Sequence, residues 1–221
     1  MSQFFTDDQI RFLRHALDVL TEDVESRRLE IVARDRWGGT PPLDEIDEAE
    51  EVYLGPLREL FDKVQGLGHK LVIVGLASLV ETTIRLMLAR EAPKIAGPLG
   101  VRAGYGTIKN AFAQVWGRSI DTSSEYAFAS LVRALGNDFK HRAGFAELPV
   151  PGNAQPDTFK VWQKHQTALL PDFAWGRHVN PTDGKIDFGA LPLSTYVDHI
   201  ERFLDDVQHW RILNPSGLVL K

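Results

Sequence analysis

Apolar residues recur along this chain at helical spacing far more often than they alternate. Between Thr122 and Gly144, Phe128, Leu131, Val132, Leu135 and Phe139 fall on one face of a helix turning about 100° per residue. Tyr126, Ser130, Arg133, Asn137, Lys140 and His141 gather on the other face. Thr122-Ser-Ser-Glu125 has the form of a capping box and sets the expected start near Ser123. Thr6-Asp-Asp-Gln9 gives the same signal ahead of Ile10, Leu13, Leu17, Leu20 and Val24, predicting a long first helix that continues to about Arg34. Trp37-Gly-Gly-Thr-Pro-Pro breaks it, and an acidic run from Asp44 to Glu51 leads into Val52, Leu54, Leu57, Leu60, Phe61 and Val64. Pro56 either kinks this second helix or marks its true start.

Leu71 through Val80 is the most apolar run. It is far shorter than the ~20 residues that span a bilayer, and its pattern continues to Leu88 past Glu81 and Arg85, so a buried central helix is expected. Glu81 is then either an interior carboxylate in need of a partner or the first residue of an exposed end, paired with Arg85 four positions on; the second arrangement is the expected one. Pro93 to Gly106 reads as a loop, and Thr107 to Val115 as a short helix. The stretch at about 148–192 is rich in Pro, Gly and Asp, with Phe159, Trp162, Leu169, Leu170, Phe173 and Trp175 as apolar anchors. Within it, residues 177–179 and 185–188 could form a small hairpin. Ser194 caps a last helix carrying Val197, Ile200, Phe203, Leu204, Val207 and Trp210. The expected fold is all-α: an antiparallel bundle of about five or six helices with a minor β-hairpin. It forms one domain over residues 1–221, with a loop-rich elaboration at about 148–192.

Composition refines this picture. With 43% hydrophobic and 25% charged residues, a sizeable core is available. The absence of cysteine excludes disulfides and thiolate metal sites and suits a reducing compartment. Nothing in the first eight residues resembles a basic segment followed by an apolar one, so a cytoplasmic protein with no membrane association is expected. Net charge is −5, unevenly spread: residues 1–66 carry 8 basic and 16 acidic groups, residues 67–146 carry 10 and 5, and residues 147–221 carry 7 and 9. The central third is a basic island, the charge pattern of a segment that meets phosphate, although uneven surface charge is also common in proteins that bind nothing. Arg102 and Lys109 belong to that island.

The glycine-rich basic loop before Gly106 matches neither a phosphate-binding P-loop nor a dinucleotide fingerprint, which excludes nucleoside-triphosphate hydrolysis of that type. His165, His178, His199 and His209 have no metal-ligand spacing, and no cofactor is called for. In the helix after Ser123, Arg133, Asn137 and His141 lie at i, i+4 and i+8 and stack along one edge. Gly136 sits in mid-helix at a cost of roughly 1 kcal/mol against Ala, which points to close packing or a functional bend. His141 lies between Lys140 and Arg142, cations that favour a neutral, base-competent imidazole.

Asn137-Asp-Phe-Lys-His141, ending a helix that carries an arginine and preceding a glycine, resembles the signature of HEPN domains. These are helical bundles whose motif is an arginine, a polar residue, a short spacer and a histidine. The resemblance implies an RNA-binding protein and a metal-independent endoribonuclease of toxin or antiviral-defence type. Two subunits would pair so that their motif helices build one site, and an antitoxin or other protein could be a partner. His141 would be the motif histidine, abstracting a proton from a ribose 2′-OH, and Asn137 the polar residue. Arg133 would stand for the motif arginine, with Lys140 and Arg142 alongside for phosphate and Glu81 in support. Gly136 occupies the position just before Asn137, so Arg133 leaves a longer spacer than the family's. Other members of the family are non-catalytic, which keeps open a second reading: a helical interaction or dimerisation module in which Gly136 serves close helix packing.

Overall fold

The computed structural model describes residues 2–21, 38, 55–94, 103–140, 156–170, 172–179 and 186–213. Among these residues the fold is helical, without a β-strand. The helices are α1 (Ser2–Thr21), α2 (Gly55–Glu91), α3 (Tyr105–Trp116), α4 (Tyr126–Asp138), α5 (Asp157–Leu169), the single turn α6 (Trp175–His178) and α7 (Leu193–Leu213). A 3₁₀ turn, Ile120–Thr122, leads into α4.

The second and central helices expected from sequence are one continuous element, α2. Pro56 lies in its first turn, where a missing N–H costs nothing, so it marks the start and does not kink the helix. Ile73, Leu76, Val80, Ile84 and Leu88 of α2 are wholly buried. By length and composition alone Lys63–Glu91 is long and apolar enough to cross a membrane, yet 56% of its most apolar window is buried inside the fold. Around it pack α1, α3, α4 and α7. Leu20 of α1 lies against Gly68 and Leu13 against Gly75, so α1 and α2 run in opposite directions and the two glycines give the leucines room.

Helix α4 is the second axis of the core, in contact with α2, α5 and α7. Phe128, Leu131, Val132, Leu135 and Phe139 are buried, as the periodicity requires. Gly136 faces α2 so closely that a Cβ built on it would stand 2.9 Å from the Cβ of Ala77; close helix packing accounts for this glycine.

Four local expectations are corrected. First, α1 begins at Ser2, so Thr6 is inside the helix and is not its cap; the residues that would extend α1 towards Arg34 lie outside those described. Second, α4 begins at Tyr126 with no side-chain cap from Glu125. Thr122 closes the preceding turn on Ser119, and the Ser123 hydroxyl accepts the Glu125 amide and donates to Asp206 of α7. Third, residues 157–169, read as part of a loop-rich elaboration, form a helix. Its own cap position, Pro156, offers no side-chain acceptor, and the buried Asp138 supplies one from α4. That carboxylate accepts the amides of Asp157 and Thr158, at 3.0 and 2.8 Å, and the Thr158 hydroxyl at 2.7 Å. Fourth, residues 177 and 178 are helical. What the structure shows near the expected hairpin is an isolated antiparallel bridge between Val179 and Ile186; residues 180–185 lie outside those described.

Candidate functional site

Three helices bring sequence-selected residues together along the half-buried edge of α4. Because α2, α5 and α7 surround it, α4 has no broad polar face: Ser130 is buried, and only Tyr126, Arg133 and Asn137 remain partly exposed between Tyr126 and Asp138. Arg133 is directed at α2. Its Nε and Nη2 both donate to Glu81 Oε1, at 3.0 and 2.6 Å, and its guanidinium carbon stands 3.3 Å from the centre of the Tyr105 ring on α3. The Arg133 side chain keeps 16% of its surface exposed, and among the described residues its Nη1 has no partner. Glu81 is therefore a half-buried carboxylate partnered by Arg133, with 34% of its side-chain surface exposed, and the expected pairing with Arg85 is not formed. Arg85 donates instead to the carbonyl of Ala103, just before α3.

Tyr105 completes the floor of this cluster. Its hydroxyl is buried without a hydrogen-bond partner among the described residues, and burial pushes its ionisation well above the usual phenol range, with the positive charge of Arg133 opposing that shift. One turn along α3, Lys109 donates to Asp121 at 2.8 Å and stands 5.8 Å from the centre of the Tyr126 ring. The bond to Asp121 holds Lys109 above the ordinary lysine value and Asp121 below the ordinary aspartate value. Tyr126 meets His165 of α5 edge-on, ring centres 6.0 Å apart.

Of the residues selected from sequence, the structure joins Glu81 with Arg133 and places Lys109 beside the same edge. Asn137 is half-buried, and Lys140 is exposed where the end of α4 widens into π geometry. His141, Arg142 and Arg102 lie outside the described residues. Much of the basic island is engaged within the chain: beyond Arg133, Lys109 and Arg85, Arg118 donates to Thr122 and stacks over Trp210 at 4.0 Å.

A second polar cluster, at the other end of α4, was not singled out from sequence. His199 of α7 lies flat against Phe128, with ring centres 3.5 Å apart and planes 5° apart. Its Nδ1 is 2.5 Å from Glu125 Oε2, and its Nε2 is 3.5 Å from Asp172 Oδ2. Arg202 Nε donates to the other Glu125 oxygen at 3.2 Å. Arg202 Nη2 also stands 2.8 Å from His199 Nδ1, and both Glu125 oxygens are engaged, which makes this cluster a tie between α4, α7 and the turn before α6. The only local signal was the spacing of His199 and Arg202, three residues apart on one face of α7. Among the described residues no group of histidine and carboxylate side chains could hold a metal ion. Comparison with protein-family models, with curated proteins and with solved structures finds no match for this chain.

Proposed function

We propose that this chain is an RNA-binding protein of HEPN type, with its site on the α4 edge centred on Arg133. In this reading the helices form the all-α bundle of that family, the Val179–Ile186 bridge belongs to its small hairpin, and the protein is cytoplasmic. The observation that carries the reading is the meeting of Glu81 and Arg133, 52 positions apart in the chain and both selected from sequence. Glu81 and the Tyr105 ring fix the guanidinium in one plane, and Nη1 is left to donate to a phosphate oxygen. A pre-oriented guanidinium with one free edge is suited to charge that develops on phosphorus.

Catalysis is the stronger form of the same reading. His141 takes the proton of a ribose 2′-OH, whose oxygen attacks the adjacent phosphorus. The bond from phosphorus to the 5′ oxygen breaks, that oxygen takes up a proton, and a 2′,3′-cyclic phosphate remains. Asn137 and Lys140 would steady the charge developing on phosphorus, and the sequence assigns Arg142, Arg102 and Lys109 to phosphate contact; neither metal nor cofactor enters.

The test is one set of assays on short RNAs with the wild type, Arg133→Ala and His141→Ala. Binding should weaken about tenfold in Arg133→Ala and fall with rising salt, as phosphate contacts release counterions. Cleavage should vanish in His141→Ala, persist in EDTA and stop when the nucleotide at the cleaved bond is a deoxynucleotide. An absence of RNA binding by the wild type overturns the reading; binding without cleavage leaves a non-catalytic RNA-binding protein.

One observation favours the second reading, a non-catalytic interaction module: Gly136 is accounted for by its contact with Ala77. Most of α4 is interior to its own chain, so a homodimer centred on this helix would form through Tyr126, Arg133, Asn137 and their flanks. Sedimentation at micromolar concentration tests it; a monomer there removes the dimer from the proposal. An antitoxin or other protein partner would be sought by the same measurement on mixtures.

A further inference from the structure

We infer that α5 and the turn α6 carry a stacking platform for unpaired bases, which would make the RNA of the proposed function single-stranded; the inference rests on that reading. Phe159 and Trp162 of α5 and Trp175 of α6 form a continuous aromatic group. Phe159 meets Trp175 edge-on at 4.7 Å between ring centres, and Trp162 lies 6.0 Å from Phe159 and 6.2 Å from Trp175. All three rings are only half-buried, although the core of this chain buries Phe112, Phe173 and Phe203 completely. The indole N–H of Trp162 is itself shielded from solvent and has no acceptor among the described residues, so it is the exposed ring faces that a ligand would meet. A group that served only to pin α6 to α5 would not leave three large rings partly in water.

Two further observations select the occupant. One is charge: after Asp157, α5 contains no carboxylate, while Lys160, bonded to Asp157 at 3.0 Å, and Lys164 are exposed on the same helix. A protein segment seated on the rings would need acidic or apolar character, whereas a nucleic-acid strand supplies both the π faces and the phosphates that these side chains take. The other is continuity. His165 stands one turn after Trp162 on α5 and meets Tyr126, whose ring lies beside Lys109. Tyr126 and His165 therefore lie between the α3–α4 edge and the α5 helix that carries Phe159 and Trp162. A base in a duplex cannot offer its face to such a row, so the arrangement suits single strands, whose bases splay out and stack on aromatic side chains.

The experiment titrates a single-stranded 12-nucleotide RNA and a duplex of the same length into the full-length protein at two salt concentrations, following tryptophan fluorescence and, independently, RNA anisotropy. Trp162→Leu keeps apolar volume at the α5–α6 contact, and its circular dichroism and melting temperature check that it folds. The expected result is quenching by the single strand, little by the duplex, and single-strand affinity about tenfold weaker in Trp162→Leu. Lys164→Ala, fully on the surface, should weaken binding by a smaller factor and reduce the salt dependence. If single strand and duplex bind alike and Trp162→Leu binds as the wild type does, the platform is overturned while RNA binding stands. If neither RNA binds, the underlying reading falls and the platform with it. If the wild type self-associates in sedimentation and Trp162→Leu does not, the rings belong to an interface between copies of this chain and the inference is overturned.

Discussion

The two polar clusters at either end of α4 have similar burial and opposite chemistry. The Arg133 and Glu125 side chains retain 16% and 17% of their surfaces, and each reaches a neighbouring helix. Glu125 uses both oxygens, one against His199 Nδ1 and one to Arg202, and His199 meets Glu125 and Arg202 at Nδ1 and Phe128 with a ring face. Arg133 bonds a single oxygen of a single partner and leaves Nη1 unbound among the described residues. A carboxylate with both oxygens engaged is what a structural tie needs; a positioned donor with an open edge is what a ligand needs. The contrast separates the two ends of one helix more sharply than residue type does, since both clusters contain an arginine and a glutamate.

The largest expected effect breaks the closed end. Glu125→Ala leaves His199 Nδ1 facing no carboxylate and removes an acceptor from Arg202, and should destabilise the fold by about 2–3 kcal/mol. Arg133→Ala loses one partly exposed ion pair and a cation–π contact and should cost about 1 kcal/mol. Urea unfolding of both variants decides it: the contrast fails if Arg133→Ala is the more destabilised of the two. RNA affinity should rank them the other way, with Glu125→Ala close to wild type under conditions where it is folded.

A smaller effect sharpens why α4 is fixed where it is. A Cβ at position 136 would meet the Cβ of Ala77, an atom that moves only with the α2 backbone, whereas a Cβ at Gly66 of α2 would meet nothing within 4 Å. Gly136→Ala should therefore destabilise by about 1 kcal/mol after the gain in helix propensity, and Gly66→Ala should stabilise by about 0.5–1 kcal/mol. Opposite signs in the two unfolding free energies are the expected outcome. A stabilised Gly136→Ala would mean that the close approach of α2 and α4 is not required.

These same residues show what could be read from the sequence. The buried face of α4 was legible because Phe128, Leu131, Val132, Leu135 and Phe139 follow the helical period, and burial follows from that period alone. The opposite face was not, because a period reports where apolar residues lie and is silent on how many neighbours surround a helix: α5 covers part of the edge that looked solvent-facing. Helix α5 was hidden for a related reason, since its amides at residues 157 and 158 are capped by Asp138 from another helix and no window of local sequence contains that pairing. Glu81 was legible as a carboxylate in need of a partner, but Arg85 at i+4 was the wrong partner, because Arg133 reaches it across the α2–α4 contact. Glu125 was legible as a polar group at a helix start; its bonds to α7 depend on tertiary contact and left no local mark.

The smallest predicted effect concerns His178, a histidine held in its neutral form. His178 is 2% exposed, stacks on Phe173 and accepts the Ala174 amide on Nδ1 at 3.1 Å, a bond that requires a lone pair there. Burial pushes its ionisation below the ordinary imidazole value; Arg177 adds to that shift, while the charge of Asp187 opposes it. A group whose folded value lies below its unfolded value binds a proton more readily in the unfolded chain. Its contribution to stability is therefore complete above the ordinary imidazole range, about pH 6.5, and is lost as pH falls through the folded value. Burial acts in the same direction on His69 and His165, so the wild type should melt at a lower temperature at pH 5 than at pH 7.5. His178→Asn places an amide oxygen near the position of Nδ1 and removes the titration. The difference in melting temperature between the two pH values should narrow in this variant, even though losing the stack on Phe173 lowers both. An unchanged pH difference would show that Nδ1 carries no special demand and that the acid sensitivity lies with His69 and His165.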